Sequence, residues 1–158
     1  MHILYVEDNM ANVALVRRVA RGHTLTNYID GQEALDNFDE DSPDLILMDI
    51  QLAGKLTGLE VVKELRKRGA AMPIIAVTAY AMVGDRERCL AAGCDEYMAK
   101  PLQVPELLTL FAKHNKPEPS ETVVEDDETS SPSTVASSST DADDSLEEAI
   151  NTGEDVQS

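Results

Sequence analysis

The chain of 158 residues carries 30 acidic against 13 basic side chains, a net charge of −17, and only 4% aromatic residues. So acidic a composition excludes a nucleic-acid binder, because affinity for a phosphate backbone comes from lysines and arginines that displace its counterions. The length suits one ordinary core with room for an appendage, and the apolar runs are too short to span a bilayer.

HILYV, from His2, is a short apolar run with no basic and apolar leader of a secretory signal before it, so a cytoplasmic protein is the expectation. It ends in Glu7-Asp8-Asn9, after which Val13, Val16 and Ala20 fall on one helical face. TLTNYI reads as a second strand, Asp30-Gly31 as the turn that follows, and Ala34, Leu35 and Phe38 as the inner face of a second helix. DLILMD is a third strand ending in Asp49, with a third helix on Leu59, Val62 and Leu65. PIIAVT ends in Thr78, and the fourth helix closes at Gly93, a residue suited to the position after a last turn. CDEYMA leads to Lys100-Pro101, and the fifth helix has Pro105 in its first turn and Leu107, Leu108 and Phe111 on its apolar face. Five strand-helix units in alternation predict an α/β fold on a parallel sheet.

Cys89 and Cys94 have no second pair, and His2, His23 and His114 are scattered. Both cysteines read as small reduced core residues, not metal ligands.

The composition breaks after residue 114. Residues 115–158 hold 13 acids against Lys116 alone, so they carry −12 of the −17 and leave −5 for residues 1–114. With aromatics ending at Phe111 and Ser, Thr, Pro, Asp and Glu dominating, this acidic Ser-rich tail is expected to be disordered and solvated. Ser145-Leu146-Glu147-Glu148 matches a helix capping box, but an isolated helix that short is marginal in water.

The polar residues collect at the strand ends: Glu7 and Asp8, Asp49, Thr78, and Lys100. In an open α/β sheet, ligands bind beyond the carboxyl ends of the strands, where the strand order reverses. Taken singly, Asp8 or Thr78 would pass for a helix cap. If the third strand lies between the first and fourth, a spacing of ~4.8 Å puts Asp8 and Asp49 within reach of one cation and Thr78 within reach of anything attached to Asp49. The fifth strand, about 10 Å from the third, is within a lysine's span. Three clustered carboxylates repel one another unless a hard divalent cation joins them, and Mg2+ suits an oxygen-only site.

In order and near-usual spacing, Glu7-Asp8, Asp49, Thr78, Tyr97, Lys100 and Pro101 resemble the receiver domains of two-component response regulators, over roughly residues 2–113. VTAYAMVGDRERCLAAGCDEYMAKPL and DIQL are most similar to stand-alone receivers of the chemotaxis-regulator type and to those attached to hybrid kinases. The resemblance implies a flavodoxin-like, doubly wound five-stranded sheet of order 2-1-3-4-5 with five helices. It implies Asp49 as phosphoacceptor, Mg2+ held by Glu7, Asp8, Asp49 and the Gln51 backbone carbonyl, and Lys100 and Thr78 as contacts to the phosphoryl group. Thr78 and Tyr97 would form the switch, and Pro101 is the candidate for a cis peptide. It further implies a histidine kinase or histidine phosphotransfer protein as donor, and a downstream protein reading helix 4, strand 5 and helix 5. Catalysis would extend only to the chain's own phosphorylation and dephosphorylation, and output would pass through a partner. One departure stands out. In QLAGKLTG, Ala53 occupies the place of the family's proline, and one extra residue precedes Gly58.

Other classes fit less well. An aspartyl phosphohydrolase wants a second acid two residues after the nucleophile, where Gln51 stands. A flavodoxin-like binder wants a phosphate-cradling loop after strand 1, where Glu7-Asp8-Asn9 repels anions. The remaining alternative is a receiver-fold adaptor that works by protein binding without phosphorylation.

Overall fold

The computed structural model describes residues 1–79 and 82–115. β1 (His2–Val6), β2 (Thr24–Tyr28), β3 (Leu45–Asp49), β4 (Ile74–Thr78) and β5 (Glu96–Ala99) alternate with α1 (Met10–Val19), α2 (Gly31–Asp41), α3 (Gly58–Lys67), α4 (Asp85–Ala92) and α5 (Val104–His114). Every residue of β3 and β4 is buried. Continuous apolar runs of this kind belong inside a parallel sheet covered on both faces. The sheet is parallel throughout, in the order β2-β1-β3-β4-β5. The fold is therefore the flavodoxin-like arrangement.

Side-chain alternation divides the core in two. Leu4, Val6, Ile46, Met48, Ile74 and Ala76 join Phe38, Val62 and Leu65 on the side of α2 and α3. Ile3, Tyr5, Leu45, Leu47, Ile75 and Val77 join Val13, Val16, Leu107 and Phe111 on the side of α1 and α5. Glu7 and Asp49 continue the odd-numbered rows of β1 and β3, so both belong by parity to the α1 and α5 side.

Local chemistry explains where the helices begin. Asn9 and Asp30 accept the backbone N–H groups of Ala11 and Glu33. Thr57 and Glu60 form a reciprocal capping box at the start of α3. α4 ends at Gly93 with φ 114°, where a Cβ would also press on the Arg66 side chain. Arg66 occupies that space because it ties the α3–β4 and α4–β5 loops together, donating to the Ala70 and Met72 carbonyls of the first and to the Gly93 carbonyl and Asp95 of the second.

One reading of the sequence needs correction. Leu108 is 52% exposed, and Leu110 takes its place on the buried face of α5. Val62 and Leu65 are fully buried as expected, Leu59 is half-buried against the same core, and Val61 completes the inner face of α3. Asn9 caps α1 and Gly84 precedes α4, so neither Asp8 nor Thr78 is a helix cap. The capping-box motif at Ser145 lies outside the described residues.

Cys89 and Cys94 are free and buried. Burial pushes both thiols up, that of Cys94 to about 12. A thiol held there has roughly a thousandfold less thiolate at neutral pH than an ordinary exposed cysteine. A disulfide reagent should therefore label neither cysteine in the native protein and both after denaturation. Rapid labelling of two thiols under native conditions would show that this part of the core is open.

Candidate functional site

The site begins where β1 runs out. Glu7 is anchored through its backbone, its N–H donating to the Tyr28 carbonyl at 2.9 Å, while the Asn27 side-chain amide donates to the carbonyls of Tyr5, Glu7 and Tyr28. Its side chain is fully buried. Oε2 accepts the Tyr5 hydroxyl at 2.7 Å, and Oε1 accepts the Asn9 N–H at 3.1 Å.

Asp49, at the end of β3, is 2% exposed. Its Oδ1 accepts the Gln51 N–H at 2.9 Å. That bond turns the first residues of the loop back toward the carboxylate. Lys100, just beyond β5, reaches across β4 and places its Nζ 2.9 Å from Asp49 Oδ2 and 2.9 Å from Glu7 Oε2. Its backbone N–H donates to the Thr78 carbonyl at 2.7 Å, fixing the root of the side chain on the neighbouring strand.

One carboxylate oxygen from each of Glu7, Asp8 and Asp49 lies within 4.8 Å of the others. Three carboxylates against one ammonium leave a surplus of negative charge, on the side where Asp8 is exposed. Burial, and then the Glu7 charge, push the Asp49 carboxyl up against the hydrogen bonds from Lys100 and Gln51. Burial acts on Glu7 in the same sense, but three donors, Lys100, Tyr5 and the Asn9 N–H, outweigh it and hold Glu7 below the usual carboxylate range. The opposite shifts follow from the donor count. Lys100 is partly desolvated, yet its bonds to Asp49 and Glu7 keep it protonated beyond the usual lysine range. Tyr5 is pushed far up, by burial and by the bond to Glu7, and so remains a donor. A surplus of hard oxygen donors open on one side suits a divalent cation such as magnesium.

Thr78 closes β4, 3% exposed. It lines a cavity of about 230 Å³ together with Gln51, Asp85 and Arg88. The Lys100–Pro101 peptide is cis. Tyr97 lies half-buried on the edge strand β5, packed against the α2 and α3 side of the core, and borders a cavity of about 440 Å³ between β5 and α5. Glu7, Asp8, Asp49 and Lys100 thus form one cluster with Thr78 and Gln51 adjoining it, while Tyr97 stands on a separate part of the molecule's edge. Sequence reasoning assigned no role to Tyr5, although two residues apart on one strand place Tyr5 and Glu7 on one face.

The loop after Asp49 is held between two backbone hydrogen bonds. Ile50 donates to the Val77 carbonyl, and Gly58 donates to the Ile50 carbonyl at 3.2 Å. A Cβ at Gly58 would collide with the Asp49 carbonyl oxygen. The start of α3 therefore rests directly on the backbone of Asp49.

The response regulator receiver domain family matches residues 3–112. The chain belongs to that family. It is 46% identical over 110 residues to the polar-differentiation response regulator DivK of Brucella anthropi, covering 67% of this chain and 89% of that protein. It is 39% identical to the receiver domain of the sensor histidine kinase PA1611 from Pseudomonas aeruginosa PAO1, with a TM-score of 0.64 over 71% of this chain and 94% of that one. That structure is described with a magnesium ion coordinated in the active site cleft. A CheY-like receiver domain from Methanospirillum hungatei JF-1 is 27% identical, with a TM-score of 0.65 over 72% of this chain and 93% of that one.

The contact at Gly58 generates a prediction. Gly58→Ala forces α3 away from the backbone of Asp49 and should cost on the order of 1–3 kcal/mol in denaturant unfolding, with the amide resonances of Asp49 and Ile50 shifted most. Unchanged stability and spectra would mean that the α3 terminus does not bear on Asp49.

Proposed function

We propose that residues 1–114 act as a phosphoryl-accepting receiver, with Asp49 as nucleophile and a phosphohistidine on a histidine kinase or histidine phosphotransfer protein as donor. The observation that carries this reading is the buried Asp49 carboxylate at the open end of β3, next to Asp8 and 2.9 Å from the Lys100 ammonium. A carboxylate oxygen of Asp49 attacks phosphorus in line, the P–N bond breaks, and the imidazole leaves with the electron pair. Water later attacks the acyl phosphate and restores the carboxylate, so the chain catalyses only its own phosphorylation and dephosphorylation.

Asp8, Asp49 and the Gln51 backbone carbonyl, assisted by Glu7, would hold Mg2+. The fit rests on the donor set, three carboxylates with oxygens within 4.8 Å and Gln51 turned toward Asp49 by its own N–H. Magnesium, when bound, neutralises charge on the transferring phosphoryl oxygens. Lys100 exchanges the Asp49 carboxylate for a phosphoryl oxygen, and the Thr78 hydroxyl donates to the same group. Two or three such bonds, at roughly 1.5–3 kcal/mol each, are enough to move a two-state equilibrium from 1:99 to 99:1. Tyr97 transmits the change to a downstream protein at the face made by α4, β5 and α5, and its half-buried place beside the 440 Å³ cavity supports that role.

Asp49→Asn keeps the shape of the side chain but removes the nucleophile, and should abolish base-labile labelling by a phosphorylated kinase. Asp8→Asn should slow the same transfer. Lys100→Ala should accept label yet lose the phosphorylation-dependent change in partner binding. Persistent labelling of the Asp49→Asn protein would remove Asp49 from its role. A parent protein that takes label from no phosphorylated kinase or small phosphodonor, while still binding a partner, would be an adaptor.

A further inference from the structure

Glu7 is held more firmly than a carboxylate assisting a metal needs to be. Its backbone is tied on one side by Tyr28 and Asn27, and its side chain is fully buried. Oε1 takes the Asn9 N–H, and Oε2 takes both the Lys100 ammonium at 2.9 Å and the Tyr5 hydroxyl at 2.7 Å. Of these three donors, Asn9 belongs to the backbone and Lys100 is shared with Asp49. Tyr5 is the side-chain donor whose hydroxyl is directed to Glu7. It reaches Glu7 from below along the same face of β1, inside the core between the sheet and the helices α1 and α5. A phenol is a costly choice there, since an aliphatic residue of the kind that fills the rest of β1 needs no hydrogen-bond partner in the core.

We propose that Tyr5 is a positioning residue of the acidic site, whose hydroxyl fixes the Glu7 carboxylate and thereby sets the affinity of the site for its divalent cation. The inference rests on the metal assignment made above and deepens it. The hydroxyl and the Lys100 ammonium share Oε2, at 2.7 and 2.9 Å, while Lys100 also reaches Asp49. Without the hydroxyl the carboxylate regains rotation about its last torsion and draws Lys100 toward itself. The cation then meets a cluster that is no longer pre-arranged. Groups that orient metal ligands from behind commonly change affinity by roughly 10- to 100-fold when removed. Tyr28, whose hydroxyl donates to Asp41 at 2.8 Å, is a tyrosine–carboxylate pair outside the cluster and supplies the matched control.

The test is calorimetric titration of the parent, Tyr5→Phe and Tyr28→Phe proteins with magnesium chloride at fixed ionic strength, without phosphodonor, alongside thermal unfolding of each. The expected result is a dissociation constant raised about tenfold in Tyr5→Phe and unchanged in Tyr28→Phe. A Tyr5→Phe protein that melts lower but binds magnesium as the parent does would make Tyr5 purely structural and overturn the proposal. Failure of the parent itself to bind magnesium would remove the metal assignment and this inference with it, a result distinct from the first. If Tyr5→Phe does not fold, the Tyr5 hydroxyl proton of the parent, buried and donated to Glu7, decides the matter by NMR. It should shift on saturation with magnesium, and a signal that stays in place overturns the proposal.

Discussion

Everything at the open end of this sheet is arranged around one ammonium group held between two buried carboxylates. Removing Glu7 and Asp49 from water costs several kcal/mol each, which a single salt bridge does not reliably offset. A protein selected only for stability would do as well with apolar side chains at these positions. The chain instead surrounds Glu7 with three donors and leaves Asp49 with two, so Glu7 is driven down and Asp49 up. The two acids are thereby made unlike. Glu7 is a fixed anion, and Asp49 is the member of the pair whose charge is least well satisfied by the protein and most open to an external partner.

The sheet makes that arrangement possible. Strand order β2-β1-β3-β4-β5 places the ends of β1 and β3 side by side and puts β5 two strands from β3, so only a side chain as long as lysine can bridge the gap. The strands leading to the ends of β1 and β3 are packed inside the core, β3 throughout and β1 from Ile3 onward. Gly58 lets α3 settle on the carbonyl of Asp49 without displacing it. The loop that carries Ala53 therefore starts and ends at backbone hydrogen bonds, from Ile50 to Val77 and from Gly58 to Ile50.

Much of the fold was legible in the sequence because β3 and β4 are uninterrupted apolar runs and Asp30-Gly31, Gly93 and Pro105 mark helix ends. The order of the strands was not in the pattern, and came from the resemblance alone. Leu107-Leu108 misled because the buried stripe of α5 runs through Leu107, Leu110 and Phe111, and Leu108 falls just outside it, a choice of edge that the 3.6-residue period alone leaves open. Of the site, the grouping of Glu7, Asp8, Asp49 and Lys100 could be read from strand ends. The second partner of Lys100 and the hydroxyl of Tyr5 could not, since both depend on side-chain direction within the core. The alternation that puts Tyr5 below Glu7 was present in HILYVE as a signal without an assigned consequence.

The central claim is that the acid with fewer donors, Asp49, is the one that reacts. Treating the magnesium-loaded protein with a small phosphodonor and then reducing it with borohydride converts an aspartyl phosphate to homoserine, whose position peptide mass spectrometry reads directly. The account predicts homoserine at residue 49 and at no other acidic residue. Conversion at Asp8, or at no position under conditions where magnesium is bound, would contradict it.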